Sequence, residues 1–528
     1  MSFYAVQGLS TVYQYTTAGT SLALTPPTGV TIDSTLRLRG AVMSGAAVLV
    51  GSPSENIAMD SSGILRRLCP RPPTVGPIIA GGSSGTLSGT YQVWVTFKIK
   101  DSAGNILAES DFSPASNSVT IASKMLRATS IPTTSEQIPT GTSFSRQLYR
   151  STTDGSVKFP WLEVDGNTIT SVEDDLSDAG LSLVAAPTDL GMPPKFDLIV
   201  EWKDRLWGKS VNEVDILYQS GIGKSYAWPI SRTIPIPPRS ADLVGISGFL
   251  RRKDELGVGR RSALHKIVGT NITNFTRQVV TDRLGIWAPD SCVTIDDVGY
   301  FLGSPFAVYA WGPTGVANIT NERVKAWFDT DTYFNRAEFD NAIGMYEPAT
   351  HSYILFLSAV GSTDLDRWIQ FDIATGAWWG PHKTAAFTPY GGTALHDANE
   401  VQIACWFGSD GKLYKQQTTK TDGASSGIDF DVTTNWFSGN TPDIFKTWLN
   451  PSIISKIQSA STLTVTPSVG GLDASAGTAI SHDMTLGRQM LRVLGNGRLA
   501  RLRMQNSTAA QPVVVYGLEL PFFENGRR

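Results

Sequence analysis

Apolar and polar residues alternate in short runs along most of this chain. The run Gly89–Phe97 shows the pattern, and so does Ala500–Gln505, whose alternate apolar residues fall on one face. Because successive side chains of a β-strand point to opposite faces, a period of two predicts strands. Gly, Asn and Asp residues separate the runs, which is typical of turns between antiparallel strands. The sequence therefore predicts an all-β protein, with helix confined to short segments such as Asn321–Phe328.

Alternation is densest between Gly89 and Asp178, which predicts a β-sandwich. Strand-like runs are separated there by turns, and the segment closes on a run of carboxylates. In order, the features are Gly89–Phe97, a turn at Asp101–Asn105, Glu109–Pro114, Arg146–Ser151 and Glu173–Asp178. About 100 residues of short antiparallel strands match the size of a fibronectin type III domain. We therefore expect a sandwich of that kind.

A second theme returns between residues 196 and 420. An aromatic-rich strand runs into a Gly turn, and a second strand also carries an aromatic residue. The clearest copies are Leu198–Tyr218, Val298–Gly312, Tyr353–Trp379 and Ile403–Tyr414. Degenerate units of about 40 to 50 residues, each holding several strands, indicate β-propeller blades. We expect about six blades if strands of the N-terminal segment complete the ring. An irregular β-sandwich is the alternative.

These patterns divide the 528 residues into four parts, as expected of a chain too long for one core. Residues 1–72 form an N-terminal β segment that would complete the propeller, and residues 73–192 form the fibronectin-III-like sandwich. Residues 193–425 contain the propeller blades, and residues 426–528 form a C-terminal β-domain. The predicted fold is an all-β protein: a β-propeller of about six blades with an inserted fibronectin-like β-sandwich and a C-terminal β-domain.

Charge and composition narrow the functional class. The chain has 44 Lys and Arg against 47 Asp and Glu, a net charge of −3, whereas general nucleic-acid binders are strongly basic. Cys69, Cys292 and Cys405 lie too far apart for a disulfide framework or a zinc site, so we expect buried free thiols. The chain has no apolar stretch of about 18 residues, and Met1–Ala5 lacks the marks of a signal peptide. We therefore expect no membrane span and folding in a reducing cytoplasm.

No catalytic motif is apparent. The five histidines occur in no metal-binding spacing, and we expect them to be structural or solvated; they are His265, His351, His382, His396 and His482. The segment Gly221–Ser225 ends like a phosphate-binding loop but lacks its first glycine, and it is interpreted as a turn. There is no G-x-S-x-G elbow. We therefore predict no catalytic, cofactor-binding or metal-binding residues, and no enzyme.

Three groups of carboxylates offer an alternative to that prediction. Asp364 with Asp366, and Asp296 with Asp297, could serve as an acid and base of a glycosidase, and Glu173–Asp178 could hold Ca²⁺ through its oxygens. A solvated turn is the favoured interpretation of all three.

Basic residues suggest contacts instead of catalysis. Arg251–Lys253 and Arg260–Arg261 flank Asp254–Glu255, a mixed-charge stretch suited to a loop that meets a neighbouring subunit. Arg501 and Arg503 are expected on the face opposite Leu502, where they would contact an interface or solvent.

Several short motifs occur here in the order in which they recur in one family of virion proteins. Gly89–Phe97 fits G-x-Y-x-x-x-V-T-F, Glu109–Ser113 fits E-S-x-x-S, and Tyr149–Ser151 fits Y-R-T/S. With these motifs the chain resembles the tail nozzle or hub proteins of short-tailed bacteriophages, also called tail tubular or stabilisation proteins. The similarity continues in four further segments, Trp202–Gly208, Asp215–Ser220, Trp228–Pro229 and Phe522–Arg528.

The resemblance implies a structural virion protein of a phage tail. In that family a ring of copies, commonly six, extends the DNA channel below the portal and the adaptor and helps retain and deliver DNA. Its implied partners are further copies of itself, the head-to-tail adaptor, other tail proteins and tail fibres or spikes, with genomic DNA passing through without sequence-specific binding. The implied location is the virion, after assembly in the host cytoplasm. A carbohydrate-binding or glycan-degrading receptor-binding propeller is the first alternative, and a bacterial surface adhesion module is the second.

Overall fold

The chain folds into two units built almost entirely of antiparallel strands. A computed structural model describes residues 4–8, 10–15, 21–60, 63–182, 184–238, 244–322, 324–383, 387–396, 401–408, 412–415, 421–422, 426–427, 430–457, 462–492, 495–507 and 513–525. The first unit spans Met1–His382 and Pro389–Lys415, and the second spans Lys383–Thr388 and Gln416–Arg528.

The N-terminal part of the first unit contains two small sheets. The three-stranded sheet consists of β1 (Tyr4–Gly8), β2 (Thr11–Tyr15) and β3 (Ser21–Leu24). The four-stranded meander that follows, called the first sheet, consists of β4 (Leu38–Met43), β5 (Ala46–Gly51), β6 (Ile57–Met59) and β7 (Leu65–Arg67). Val12, Leu24 and Ile57 share one apolar core, which joins the two sheets.

A β-sandwich follows. Its strands are β8 (Ile78–Tyr91), β9 (Val93–Lys100), β10 (Ile106–Glu109), β11 (Val119–Thr129), β12 (Ser143–Ser151), β13 (Lys158–Asp165) and β14 (Val172–Asp174), with a 3₁₀ turn at Asp178–Gly180. They form a sheet in the order β10-β9-β12-β13 and another in the order β14-β11-β8. The apolar side chains of both sheets meet in one core, which includes Val95, Leu126 and Leu148. The alternation of these strands positions that core, because alternate residues face the opposite sheet.

Five more antiparallel meanders complete the first unit. The second sheet consists of β15 (Phe196–Trp202), β16 (Arg205–Ser210), β17 (Ile216–Gln219) and β18 (Thr233–Pro235). The third consists of β19 (Gly248–Arg251), β20 (Glu255–Gly259), β21 (Leu264–Val268) and β22 (Thr276–Thr281). The fourth consists of β23 (Gly285–Ile286), β24 (Val293–Ile295), β25 (Val298–Ser304), β26 (Ala307–Gly312) and β27 (Gly315–Asn318).

The last two meanders follow a short helical insertion. That insertion contains α1 (Lys325–Asp329) and a 3₁₀ helix at Arg336–Asn341. The fifth sheet consists of β28 (Ile343–Glu347), β29 (Ser352–Leu357), β30 (Arg367–Asp372) and β31 (Ala377–His382). The sixth, in its described residues, consists of β32 (Pro389–His396), β33 (Gln402–Gly408) and β34 (Leu413–Lys415).

Consecutive sheets stack face to face on aromatic side chains. Trp202 and Trp207 of the second sheet share a core with Leu256 of the third. Tyr300 of the fourth sheet stacks on Tyr353 of the fifth, with ring centroids 5.6 Å apart. The first strands of the sheets also lie side by side in chain order. This repeated stacking of antiparallel meanders makes the unit propeller-like, as the recurring aromatic strands of the sequence predict.

The second unit is also all-β. Its strands are β35 (Thr421–Asp422), β36 (Ser426–Gly427), β37 (Phe430–Thr433), β38 (Lys446–Trp448), β39 (Ser452–Ser455), β40 (Thr462–Gly470), β41 (Ile480–Asp483), β42 (Arg488–Met490), β43 (Gly495–Gly497), β44 (Leu499–Asn506), β45 (Val515–Glu519) and β46 (Phe522–Glu524), with a 3₁₀ turn at Met484–Leu486. Its largest sheets have the orders β37-β44-β40-β41, β43-β38-β46 and β42-β39-β45.

The fold agrees with some local features of the sequence pattern and differs from others. The prediction of an all-β chain is confirmed, and helix begins within Asn321–Phe328 as expected, at Lys325. The Gly and Ser content of the segment Gly81–Gly85 predicts a flexible stretch before the sandwich, and this prediction is wrong because the segment lies inside β8. The apolar run Val513–Leu518 predicts a buried strand. A strand does begin in this run, at Val515, but the predicted burial is wrong, since Tyr516 is 67% exposed. The domain limits 72/73, 192/193 and 425/426 stay predictions.

Candidate functional site

A partly buried ion cluster joins the beginnings of the first strands of several sheets. The first strand of the fourth sheet is split, because β23 and β24 both pair with β25 and a 3₁₀ turn at Pro289–Ser291 lies between them. That turn carries Asp290. Arg39 binds it through two bonds, Nε to Oδ1 at 2.6 Å and Nη2 to Oδ2 at 2.8 Å, and Arg37 Nη1 lies 3.0 Å from Oδ2. We call Arg37, Arg39 and Asp290 the hub cluster.

The hub cluster also reaches the second and fifth sheets. Arg39 Nη1 donates to the carbonyl oxygen of Asp197 at 3.2 Å, and Arg37 Nη2 donates to that of Asn341 at 2.6 Å. The first sheet therefore contacts not only the second sheet but also residues that begin the fourth and fifth. Because the first sheet contacts residues of the fourth and fifth sheets, the series of sheets curves around the hub cluster.

Electrostatics fix the charge state of the hub cluster. Burial alone would raise the pKa of Asp290, but the hydrogen bonds and charges of Arg39 and Arg37 outweigh it, so that the pKa lies below its ordinary value. Burial would lower the pKa of Arg39, and Asp290 reverses that effect. Because two guanidinium groups hold this carboxylate ionised and lower its pKa, it is a weak base and a poor proton donor, so it is poorly suited to act as a general acid or base.

The opposite ends of the same strands form a second charged region. Tight hairpins join the first and second strands of the sheets there, with left-handed backbone at Ser44-Gly45, Lys203-Asp204 and Asp296-Asp297. Two consecutive left-handed residues are the geometry of a type I′ turn, which matches the twist of the flanking strands. We call these hairpins, with those at residues 252–254 and 348–351, the rim.

Ion pairs link neighbouring hairpins of the rim. Arg251 Nη1 lies 2.6 Å from Glu201 Oε2, which joins the third sheet to the second. Arg252 Nη2 lies 3.2 Å from Asp297 Oδ2. His351 Nε2 also lies within hydrogen-bonding distance of Asp296 Oδ2, at 3.1 Å, and the two contacts join the fourth sheet to its neighbours. In the predicted mixed-charge stretch, Arg251 and Arg252 therefore bind carboxylates of the same chain. Arg260, likewise, is buried and binds Asp215.

The carboxylates of the acidic run bind donors of the sandwich. Asp174 accepts a hydrogen bond from Trp161 Nε1 at 2.8 Å, and Asp178 lies 2.6 Å from Arg150 Nη1. Glu173 and Asp175 accept hydrogen bonds from backbone amides of β8. These oxygens are spread over the domain and do not converge. No set of three or more His, Cys, Asp or Glu residues could hold a metal ion in the described part of the chain.

The structure does not bring the remaining candidates together. His265 and His482 are buried, His382 packs on Trp368 at 5.6 Å, and His396 ends β32. Lys224, in the loop-like segment Gly221–Ser225, is bound to Asp189 at 2.8 Å. These histidines and Lys224 therefore lie on separate strands and loops.

The carboxylates of Asp364 and Asp366 lie in one loop and do not form an acid and base pair. Asp366 accepts a hydrogen bond from the Ala359 amide at 2.8 Å, whereas Asp364 is exposed in the same loop. The thiols of Cys69 and Cys405 are buried and free, as predicted, and Cys292 is half-buried and also free. Arg503 and Arg501 flank the buried Leu502 on the opposite face of β44, also as predicted.

The family-like motifs converge on one buried polar network in the sandwich. Glu109 of E-S-x-x-S accepts hydrogen bonds from Thr96 Oγ1 at 2.7 Å and from Tyr149 OH at 2.8 Å. Thr96 belongs to the V-T-F motif and Tyr149 to Y-R-S. Arg150, beside Tyr149, lies over the ring of Tyr91 at 5.3 Å. The three motifs are therefore parts of one structural network, which the separate segments of sequence do not reveal.

A serine ladder extends the edge of the same sheet. Past the end of β10, Ser110, Ser113 and Ser116 lie at every third residue and all are buried. Their backbone amides donate to the carbonyls of Phe97, Val95 and Val93 at 2.8 to 2.9 Å. Their hydroxyls accept from the amides of the same three residues at 2.9 to 3.0 Å.

Each hydroxyl of the ladder also donates a hydrogen bond. The acceptor is the carbonyl oxygen of the next residue, Asp111, Pro114 or Asn117, at 2.7 to 2.8 Å. A segment that contains Pro114 thus pairs with β9 although it is not a regular strand, because serine oxygens replace backbone acceptors. The signal in the sequence is the three-residue serine spacing, of which E-S-x-x-S captures only the first two members.

Comparisons with known proteins give no family assignment. No family model matches the sequence, and no curated protein matches it. Among solved structures, an exo-β-1,3-galactanase from Phanerochaete chrysosporium is 10% identical with a TM-score of 0.23, over 61% of this chain and 95% of that one. PorZ, a surface component of the type-IX secretion system of Porphyromonas gingivalis, is 9% identical with a TM-score of 0.27, over 97% of this chain and 73% of that one. A sialidase of Trypanosoma rangeli is 9% identical with a TM-score of 0.13, over 100% of this chain and 93% of that one.

Similarities this low support no statement about activity or partners. Among the described helices, none has the length and apolar character needed to cross a membrane. The fold of the chain itself, and not these comparisons, shows that the protein is all-β and propeller-like.

Proposed function

We propose that this protein is a structural component of a phage tail, in which a ring of copies extends the DNA channel and helps to retain and deliver DNA. The six meanders would be the blades of a propeller, and the sandwich would be a fibronectin-III-like domain inserted between the first and second blades. The single observation that carries the proposal is the hub cluster. It closes the place where the sheets converge with an ion pair network in which no acid or base is left free.

A closed centre favours a load-bearing wall over a catalytic cleft. A glycan-degrading propeller needs two carboxylates that face a substrate across a few ångströms, one as acid and one as base or nucleophile. Asp290 instead is bound by the guanidinium groups of Arg37 and Arg39. DNA in such an assembly would run between copies of the chain and not through the middle of one copy.

Rigid connection of the sandwich to the sheets also favours a structural role. Ile99 and Ala108 of the sandwich share a buried core with Leu190 and Ala227 of the adjoining segments. Arg66 at the end of the first sheet donates to the carbonyl oxygen of Leu107 at 2.9 Å. Such a junction holds the inserted domain in one orientation, as a part that makes lateral contacts in a ring would require.

The mass of the assembly tests the proposal. The purified chain should be measured by light scattering alone and after mixing with the portal and adaptor proteins of the same virion. We expect a ring of several copies, or a ring that forms only on the adaptor. A strict monomer that ignores both partners would refute the proposal. Binding to an array of glycans by that monomer would then support the receptor-binding alternative.

A further inference from the structure

Three buried polar side chains meet on the outer face of the sandwich sheet β10-β9-β12-β13. They are Lys98 of β9, Glu109 of β10 and Gln147 of β12, and they are 7%, 3% and 7% exposed. Glu109 pairs directly with Lys98, and Gln147 pairs with Thr96, which precedes Lys98 on the same face of β9. Because alternate residues of a strand share a face, all three side chains lie on one side of the sheet. The strands therefore bring an amine, a carboxyl group and a primary amide together away from water.

The Lys98 amine is held against the Gln147 amide. Lys98 Nζ donates to Gln147 Oε1 at 3.0 Å, and this oxygen is its one hydrogen-bond acceptor in the part of the chain that the structure describes. Gln147 Nε2 donates to the carbonyl oxygens of Leu148 and Leu162 at 3.0 and 3.1 Å. These bonds fix the plane of the amide, so that its carbonyl carbon, Cδ, stays next to the amine.

Glu109 is placed to take a proton from Lys98. Its Oε1 lies 4.0 Å from Lys98 Nζ, outside ordinary hydrogen-bond distance, and accepts hydrogen bonds from the neutral hydroxyls of Thr96 and Tyr149. A buried ammonium and a buried carboxylate are costly unless they pair closely and their hydrogen bonds are satisfied. Transfer of one proton from Nζ to the carboxylate removes both charges and leaves a neutral amine. A neutral amine has the free lone pair that a nucleophile needs.

We propose that Lys98 and Gln147 join in an intramolecular amide cross-link and that Glu109 transfers the protons. Glu109 first takes a proton from the Lys98 ammonium. The neutral Nζ then attacks Gln147 Cδ, while Glu109 gives its proton to Nε2 and receives a second proton from Nζ. The Nζ–Cδ bond forms, the Cδ–Nε2 bond breaks, and Nε2 leaves as ammonia, which carries the last proton away from Glu109 as ammonium. The amine and the primary amide become a secondary amide and ammonia, so the reaction requires no oxidant, reductant or cofactor.

The fold supplies what this slow reaction lacks in solution. The sheet holds the amine and the amide in contact, which replaces a bimolecular encounter with an intramolecular one. Burial keeps water from competing with the amine for the carbonyl carbon of Gln147. The product covalently joins β9 to β12, two neighbouring strands of the sandwich. The proposal does not depend on the proposed role in a tail.

The mass of the intact, full-length protein tests the proposal. After prolonged incubation of the folded wild type at neutral pH, the main species should be lighter than the sequence by one ammonia. Digestion with trypsin should then give a branched peptide that joins Lys98 to Gln147, and cleavage after Lys98 should be lost because trypsin does not cut after an acylated lysine. A folded wild-type protein that keeps its full mass through this incubation would overturn the proposal.

Two variants separate the roles of the nucleophile and of the proton carrier. Lys98→Arg keeps a cation that can donate to Gln147 but has no nucleophilic amine, so it should keep its full mass. Glu109→Gln keeps an oxygen acceptor for Thr96 and Tyr149 but cannot carry a proton. It should lose ammonia at least about a hundredfold more slowly than the wild type. Circular dichroism confirms that each variant is folded.

Glu163→Gln is the matched control. Glu163 pairs with Gln147 on the next strand, and its carboxylate is bound to Ser145 and Lys100. This variant should lose ammonia as readily as the wild type. Loss of ammonia from folded Lys98→Arg would contradict the role of the Lys98 amine, and equal rates for folded Glu109→Gln and the wild type would contradict that of Glu109. The mass of the wild type decides the cross-link itself even where a variant does not fold.

Discussion

At the scale of single residues, the notable devices are polar side chains that take the place of backbone groups. Serine hydroxyls continue the edge of β9 where Pro114 prevents a regular strand, and carboxylates accept hydrogen bonds from amides in the middle of β8. The Arg39 and Arg37 guanidinium groups likewise fill positions at the centre of the sheets that apolar residues could occupy. In the serine ladder each buried amide has a specific acceptor, and the loss of that acceptor leaves the amide without water or protein to bind.

Ser113→Ala should destabilise the sandwich. The substitution removes the acceptor of the Val95 amide, which is buried, so the cost is about 1 to 3 kcal/mol in the free energy of unfolding. Urea denaturation followed by circular dichroism measures it. Ser118→Ala, on the exposed side of the same segment, is the control and should change stability by less than about 0.5 kcal/mol. An equal, small effect of both substitutions would show that the ladder is not a stabilising feature.

Asp290→Asn should weaken the first unit. The substitution keeps the shape of the side chain but leaves Arg37 and Arg39 without their counter-charge. Breaking a fully buried ion pair costs about 3 to 5 kcal/mol, and we expect about 2 kcal/mol because the two arginine side chains remain 23% and 25% exposed. Thermal unfolding of the variant and of the exposed control Asp254→Asn gives the comparison. Equal melting temperatures would mean that the hub cluster does not hold the sheets together.

At the scale of elements, the sequence predicts strands well and their partners less well. Gly89–Phe97 and Ala500–Gln505 are strands because a period of two is a local signal. The predicted burial of Val513–Leu518 is wrong because an apolar run does not reveal that only one side of a strand is covered. Gly81–Gly85 also misleads, since the glycines of β8 leave space for carboxylates from residues about 90 positions away.

The candidate site shows the same limit. No property of Arg37, Arg39 or Asp290 in the sequence indicates that they meet, because the contact depends on how the sheets curve. A Pro-containing interruption between two short strands, at Pro289–Ser291, is the only local sign. By contrast, the sequence itself shows that no known catalytic motif is present. A catalytic site assembled from residues far apart in the sequence would show no such motif.

The buried histidine of the second unit should make its stability depend on pH. His482 on β41 is fully buried, with Nε2 3.2 Å from Ser455 Oγ, and burial lowers its pKa. A histidine that is neutral in the folded state binds fewer protons than the unfolded chain, whose histidine pKa is about 6.5. The contribution to stability is therefore present above that pH and is lost as the pH falls below it.

Hydrogen exchange of β40 and β44 in the full-length protein between pH 7 and pH 5, corrected for the intrinsic exchange rate, measures this effect. We expect protection to fall toward pH 5 in the wild type. His482→Gln should be less stable throughout but should show a smaller change over the same range. The same pH dependence in both proteins would assign the effect to other groups.

At the scale of the whole molecule, the sandwich interrupts the series of sheets. The sandwich is inserted between β7 and β15. The first and second sheets, which flank this insertion in the chain, pack directly on each other. Val48 and Leu206 belong to one apolar core, although residues 68–195 separate their sheets in the chain. The core that includes Ile99 and Leu190 lies where the two ends of the insertion come together.

That arrangement has a kinetic consequence. Closing a flexible loop of this length costs about 4 kcal/mol of chain entropy, which the first sheet must overcome before it gains any contact with the second. A sandwich that folds first removes most of that cost, because its ends already lie side by side. In pulse-labelled refolding, amides of β9 and β12 should therefore become protected before those of β5. Protection of β5 first would contradict this order. If the sandwich does fold first, it holds the two flanking parts of the chain together while the sheets form, and substitutions inside it should slow the folding of sheets that they never touch.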